Sequence, residues 1–291
     1  IQLTLNDFLR TNSYSDADLV AMRRRLESRL STIQSLSPAT EVLYVIVPSP
    51  ATIYPESMPS DYKPSDRPSR LEQVMGVLRD VGIHTFDLTA LFEEHKNDAY
   101  KLYWKTDSHW TDYGAFIAYE ALFDYIAEAF PAAAPRGFSD FDWQEDYYYG
   151  GDISHYLEYY NVNNVQNGVY YGSTPLMKEY NVLRVPEFSV PSQILRSVDR
   201  YKTDHILTYN VAKLQGSATI STNRPELPSA IVYRDSYSGQ IYDILAERLD
   251  TTVYKSMWDF TLNLAQIKSM QPDYIIYLIA ERNIGEVFSL Q

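Results

Sequence analysis

Two short stretches of this chain carry side chains suited to acyl transfer. Lys105-Thr106-Asp107-Ser108-His109-Trp110-Thr111 offers a carboxylate and an imidazole two residues apart. Tyr233-Arg234-Asp235-Ser236-Tyr237-Ser238 offers a serine just after an apolar run, where a strand would turn into a helix. Side chains two apart in an extended or looped segment lie on one side of the chain. Asp107 can then orient the imidazole of His109, fix its tautomer and stabilise its cation. An imidazole held in this way takes the proton of a serine hydroxyl, and the order of the three members along the chain differs between folds. Trp104 and Trp110 flank the pair and are placed to shield it from water. A serine in a first helical turn also has a free backbone N–H for a developing oxyanion. Plainer readings compete. Ser236, Asp107 or Thr111 can serve only as helix caps. A metal site of Asp107, His109 and Asp112 lacks an obvious set of further ligands, so no metal and no cofactor is expected.

These residues need elements that bring them together. Ser15-Asp16-Ala17-Asp18 reads as a capped helix start, and helical spacing runs from Leu19 to Leu36. Glu41 to Val47 is almost wholly apolar, as in a strand buried on both faces, and Pro48-Ser49-Pro50 ends it. After a Pro/Ser-rich loop to about Ser69, the pattern predicts a helix over 70–81 closed by Gly82, a strand over 83–88 and a helix over 89–96. A further helix over 111–130 is stopped by Pro131. From about 132 to 227 the helical period fades into Tyr, Asn, Gly and short alternating runs, which reads as an inserted region of small strands and loops. Regular alternation then returns, with strands over 230–233, 251–254 and 274–280 and helices over 236–249 and 260–270. Strands alternating with helices predict a parallel sheet with right-handed crossovers. The expected fold is α/β, a three-layer α/β/α doubly wound sheet in a single domain spanning 1–291, with an insertion at approximately 132–227. Ligands of such sheets bind beyond the carboxyl ends of the strands, which is where Ser236 falls.

Composition narrows the partners. The 291 residues carry a formal net charge of −13, and Lys and Arg form no long run. Such a surface repels nucleic acid, anionic lipid and strongly anionic polymers, and suits neutral or cationic substrates. The absence of cysteine removes disulfides, thiolate nucleophiles and cysteine-ligated metals. Tyrosine is abundant, 26 residues, and crowds at Tyr147-Tyr148-Tyr149, Tyr156, Tyr159-Tyr160 and Tyr170-Tyr171. A phenol ring offers a flat apolar face with a polar tip, which suits stacking on sugar rings. Tyr149 and His155, inside that crowded region, are candidate substrate contacts. His84 and His95 read as structural or exposed, and His205 has no informative neighbours. No apolar run approaches 18 residues. The chain starts at Ile1-Gln2-Leu3, from which a trimmed form that has lost an N-terminal signal or anchor is expected.

Taken in order, the motifs are familiar as a set. Thr106-Asp107-Ser108-His109-Trp110-Thr111 with Gly114-Ala115 resembles the DxH block of the AlgX/AlgJ-type polysaccharide O-acetyltransferases, an SGNH-hydrolase-like family. Val45-Ile46-Val47-Pro48-Ser49 with Ile53-Tyr54-Pro55-Glu56 resembles its earlier strand-and-loop block, and Gly151-Asp152-Ile153 its GDL segment. Asp235-Ser236-Tyr237-Ser238 resembles its nucleophile block, and Ala280-Glu281-Arg282 its final-strand Glu-Arg ending. The blocks span the chain from about residue 40 onward. The resemblance implies Ser236 as nucleophile, His109 as general base and Asp107 as its orienter, with Tyr242 as a further site residue. Arg234 stands where a glycine commonly precedes Asp-Ser, and Lys255-Ser256-Met257-Trp258 follow the next strand where a glycine is expected. Asn283 and Arg282 are equally placed for the position after the last strand, as oxyanion or substrate-binding groups. The resemblance further implies an extracellular or cell-envelope enzyme that acetylates an exopolysaccharide, fed by a membrane-bound O-acyltransferase. The acidic balance favours a neutral, cellulose-like acceptor. A carbohydrate acetyl esterase with the same triad, and a non-catalytic glycan-binding subunit of an exopolysaccharide complex, are the alternatives.

Overall fold

The computed structural model describes residues 2–104, 107–141, 153 and 216–289, together with the backbone of short strands within 144–211. Its strands are β1 (Glu41–Val47), β2 (His84–Asp87), β3 (Gln144–Tyr148), β4 (Val165–Gln166), β5 (Val169–Tyr170), β6 (Glu179–Arg184), β7 (Thr208–Val211), β8 (Ala218–Ser221), β9 (Ala230–Arg234), β10 (Thr251–Tyr254) and β11 (Tyr274–Ala280). Seven of them form one sheet in the order β2-β1-β11-β9-β10-β8-β7. The first five in that order run parallel, and β8 joins β10 antiparallel and carries β7 at the edge. This is the expected mixed α/β, doubly wound architecture. β7 and β8 lie in the stretch read as inserted; most of that stretch, with Tyr149 and His155, lies outside the described residues.

The central strands read as continuous apolar runs because each faces two cores. On β1, Leu43, Val45 and Val47 pack into one hydrophobic cluster, and Val42, Tyr44 and Ile46 into the other. β11 divides in the same way, with Ile276 and Leu278 on the first side and Ile275 and Ile279 on the second. A side-chain period of two requires this partition. The first cluster is covered by α5 (Leu88–His95), α6 (Asp112–Ala129) and α7 (Tyr242–Glu247), and the second by α2 (Asp16–Leu36), α4 (Arg70–Val81) and α8 (Leu264–Met270). Tyr44, Tyr277 and Tyr233 share one register across β1, β11 and β9, and their rings stack at 4.5 and 4.9 Å. α1 (Gln2–Leu9), α3 (Pro50–Ile53) and α9 (Ile284–Ser289) are the other α-helices among the described residues.

Two boundaries differ from expectation. The segment after β9 is a 3₁₀ turn over Ser236–Gln240, and α7 begins only at Tyr242, because the Asp235 carboxylate caps the turn through the Tyr237 N–H at 2.9 Å. α8 starts at Leu264 rather than near 260, since Asn263 caps it through Gln266 and Asp259 holds a separate turn through Thr261. Between β10 and α8, Trp258 takes a left-handed φ of 70°. That conformation costs a non-glycine residue about 1–2 kcal/mol.

Candidate active site

The base-bearing loop is a narrow hairpin. Tyr103 and Trp110 form an antiparallel bridge across it, and the Thr111 N–H donates to Leu102 O at 2.9 Å. Thr111 then caps α6 by accepting from the Gly114 N–H at 3.1 Å. Gly114 is a position with no room for a side chain, because a Cβ there would run into the Leu102 carbonyl. The hairpin can therefore lie flat on the first turn of α6. Its other end is fixed by the Tyr103 hydroxyl, which donates to Pro48 O at the carboxyl end of β1.

On this hairpin Asp107 and His109 meet Ser236. His109 Nδ1 lies 2.6 Å from Asp107 Oδ1, and His109 Nε2 lies 2.8 Å from Ser236 Oγ. Asp107 Oδ1 also accepts from the His109 backbone N–H at 3.0 Å, which fixes the carboxylate relative to the ring. Residues 127 apart in sequence are brought within hydrogen-bond reach. The imidazole keeps partial access to solvent, 21% exposed, and the carboxylate sits deeper at 13%. Both ring nitrogens are thereby engaged, one by an acid and one by a hydroxyl. That arrangement is one in which a serine oxygen can pass its proton to the Nε2 lone pair of an imidazole. Among the described residues, nothing accepts from the Ser236 backbone N–H.

The Ser236 turn and the His109 loop are bolted together by groups that spacing alone did not single out. Tyr237, fully buried, donates its hydroxyl to Ser108 O, and its own carbonyl accepts from Trp110 Nε1 at 2.8 Å. Trp110, expected as a shield from water and as a candidate oxyanion or substrate-binding residue, is fully buried and serves as a bracket. Arg282 Nη1 donates to the same Ser108 carbonyl at 2.8 Å, with its guanidinium 5.1 Å from the centre of the Tyr237 ring. Asp235 is wholly buried beneath Ser236 and accepts from Ala280 N–H and Asn283 Nδ2, each at 2.7 Å, besides Tyr237 N–H. Burial raises the carboxyl of Asp235 above its ordinary value, against the pull of those three donors. Glu281 is also buried, which raises it, and it accepts from Ser49 N–H at 2.7 Å and Thr52 Oγ1 at 2.8 Å, tying the end of β11 to α3.

The remaining candidates sit elsewhere. Asn283 is spent on Asp235 and Arg282 on Ser108, so both act one residue removed from the hydroxyl. Tyr242 is buried, with its ring stacked 3.9 Å from Tyr254 and the Arg234 guanidinium 5.2 Å from its centre. Arg234, the residue in the place of a glycine, has its side chain folded into this pocket, where Nε donates to Lys255 O at 3.1 Å and Nη2 to Gly216 O at 3.0 Å. Two aromatic faces and these acceptors offset the cost of burying its charge. His84 stacks on Tyr125, and His95 pairs with Asp98 at 2.7 Å.

Residues 6–173, more than half of the chain, match the family described as "SGNH hydrolase-like domain, acetyltransferase AlgX". The chain belongs to this family. The matched stretch of the AlgX-type domain contains Asp107 and His109, while Ser236 lies beyond it. No curated protein matches the sequence. Among solved structures, PatB1 of Bacillus cereus is similar in fold, with a TM-score of 0.61 at 14% identity over 96% of this chain and 94% of that one. A DHHW family protein from Eubacterium siraeum gives a TM-score of 0.59 at 15% identity, over 94% of this chain and 87% of its own. AlgX of Pseudomonas aeruginosa gives 0.50 at 14%, over 96% of this chain but only 61% of AlgX. At such identities the likeness is one of fold. Among the described residues, no helix of this AlgX-type chain is long and apolar enough to cross a membrane.

Proposed function

We propose that the protein is an O-acetyltransferase that carries acetyl on Ser236 and delivers it to hydroxyls of an extracellular, neutral polysaccharide. The observation that supports this reading is the relay Asp107–His109–Ser236, at 2.6 and 2.8 Å, in a chain of an acetyltransferase family. In the first half-reaction the Ser236 oxygen attacks the acetyl carbonyl and its proton passes to His109 Nε2. The free N–H of Ser236 faces the oxyanion, and the departing alkoxide regains the proton from His109. In the second, a sugar hydroxyl gives its proton to His109, attacks the acyl ester and releases Ser236. Asp107 stabilises the imidazolium in both steps. The donor would be supplied across the envelope by a membrane-bound O-acyltransferase, and the site would work outside the cytoplasm, in one domain with a glycan-facing insertion.

Ser236→Ala should lower turnover of an acetyl ester by roughly a thousandfold or more. Wild-type turnover in that variant removes Ser236 from the mechanism. Incubating the enzyme with p-nitrophenyl acetate and neutral oligosaccharides distinguishes the acceptor: acetylated sugar supports transfer, whereas free acetate as sole product makes water the acceptor and the protein an esterase.

A further inference from the structure

The loop between β10 and α8 holds a residue for which the fold alone gives no reason. Trp258 is 47% exposed, and its backbone is left-handed at φ 70°. Among the described residues its indole makes no ring stack and no hydrogen bond. Glycine adopts this conformation freely, and a bulky side chain seldom does. Non-glycine backbone held in such a region clusters at ligand clamps and active sites. The surroundings enforce it. The Trp258 N–H donates to Arg234 O at 3.2 Å, Asp259 N–H to Ser256 O at 3.0 Å, and Ser256 N–H to Ser217 Oγ at 3.1 Å. Phe260, 1% exposed, anchors the far side of the turn in the core. The ring therefore stands on a fixed support.

The Trp258 backbone is tied through Arg234 O to the end of the strand that leads into Ser236. Arg234 precedes Ser236 by two residues, a span of at most about 7 Å of chain. His109 reaches Ser236 from the side of the sheet that α6 covers, whereas the Trp258 loop leads to α8 on the opposite side. Ser256, Thr261 and Asn263, short and uncharged, are partly or fully exposed on the same loop.

We propose that Trp258 is a stacking platform for the acceptor, seating a sugar ring next to the one whose hydroxyl takes the acetyl group. The proposal rests on the acyl-transfer reading of Ser236 and adds where the acceptor lies and what holds it. A pyranose turns a face of C–H groups to the electron-rich indole, and its rim hydroxyls meet the polar loop residues. An uncharged polymer suits a chain of net charge −13 better than a polyanion does. A protein partner would call for a broad apolar patch, and here the ring is the one strongly exposed large apolar side chain of the loop, with Met257 and Leu262 partly covered and Leu264, 44% exposed, at the start of α8.

The test uses the full chain and cello-oligosaccharides. Wild type should show saturable binding by calorimetry, and Trp258→Ala should raise the acceptor KM for acetyl transfer by about tenfold, with Trp258→Tyr recovering most of the loss. Trp258→Gly, which suits the backbone, repeats the measurement should the alanine variant melt early. Equal binding by wild type and Trp258→Gly, or no binding of these oligosaccharides by wild type, overturns the proposal. So does self-association abolished by Trp258→Gly, which would make the ring a contact between copies. A different result strikes the parent reading: if Trp258-dependent binding persists while Ser236→Ala keeps full ester turnover, the acyl-enzyme falls and the platform stands.

Discussion

At the scale of single residues, the base loop depends on one carbonyl oxygen. Ser108 O accepts from both the Tyr237 hydroxyl and Arg282 Nη1, and Ser108 lies between the two residues that must hold their geometry, Asp107 and His109. Losing the charged donor from a half-buried site costs about 1.5–3 kcal/mol. Arg282→Ala should accordingly lower kcat on a small acetyl ester about tenfold or more with little change in KM, since its Nη1 is engaged by Ser108 O and holds the loop that carries His109. Arg282→Lys should recover part of it. A variant with unchanged kcat would show that Tyr237 holds the loop alone. Residue types and spacing drew attention to Asp107, His109 and Ser236, and the fold brings the three within hydrogen-bond reach. Arg282 was legible as a motif residue and illegible in its task, because its partner stands 174 positions earlier. Asp235 was hidden for another reason: a buried carboxylate next to a serine has no periodicity to mark it, and only the fold places the Ala280 and Asn283 donors on it.

At the scale of elements, close approach and helix propensity pull two glycines in opposite directions. Gly114 lets the hairpin carbonyl of Leu102 rest on the first turn of α6. Gly114→Ala must move the hairpin or the helix, and overpacking of that kind costs about 1–3 kcal/mol. Both Tm and esterase turnover should fall, because the displaced hairpin carries His109. Gly76, inside α4, has open space where a Cβ would go. Gly76→Ala should raise stability by about 0.5–1 kcal/mol in denaturant titrations, with turnover unchanged. The long helices and the three central strands were legible because two packed faces impose a period of two on strands and a stripe on helices. The 3₁₀ turn at Ser236–Gln240 was not, since serine, tyrosine and glycine fit a helix start equally well and the Asp235 cap decides between them. α1 and α3 are short and take their stability from tertiary contacts, such as the Arg70–Asp7 pair at 2.6 Å and the Glu281 carboxylate on Ser49 and Thr52.

At the scale of the whole molecule, stability should respond to pH through groups remote from the site. Burial, with the charge of Asp124 one turn on, raises Glu120 to about 7. An acid whose folded pKa is raised supports the fold most below its unfolded value, about 4.3, and loses that contribution as pH climbs through its folded value. Glu120→Gln should therefore flatten the fall in unfolding free energy between about pH 4 and pH 7, measured in urea. An unchanged slope would mean that Glu120 stays ionised in the fold. Glu247 works in the opposite sense. Burial would raise it, but Arg136 and Arg248 hold it below its ordinary value, so its contribution disappears as pH falls. The layered architecture could be inferred from alternation alone. The order of strands could not, because that order depends on which hydrophobic faces meet in space. That order bears on synthesis. The ribosome makes β11 after every other strand of the sheet, yet β11 lies between β1 and β9 and brings Ala280, Arg282 and Asn283 to the site. A nascent polypeptide short of that segment can pair β1 with β2 and β9 with β10, but it lacks the donors that meet Asp235 and Ser108 O, so the assembly closes in one step, only when its middle strand has been made.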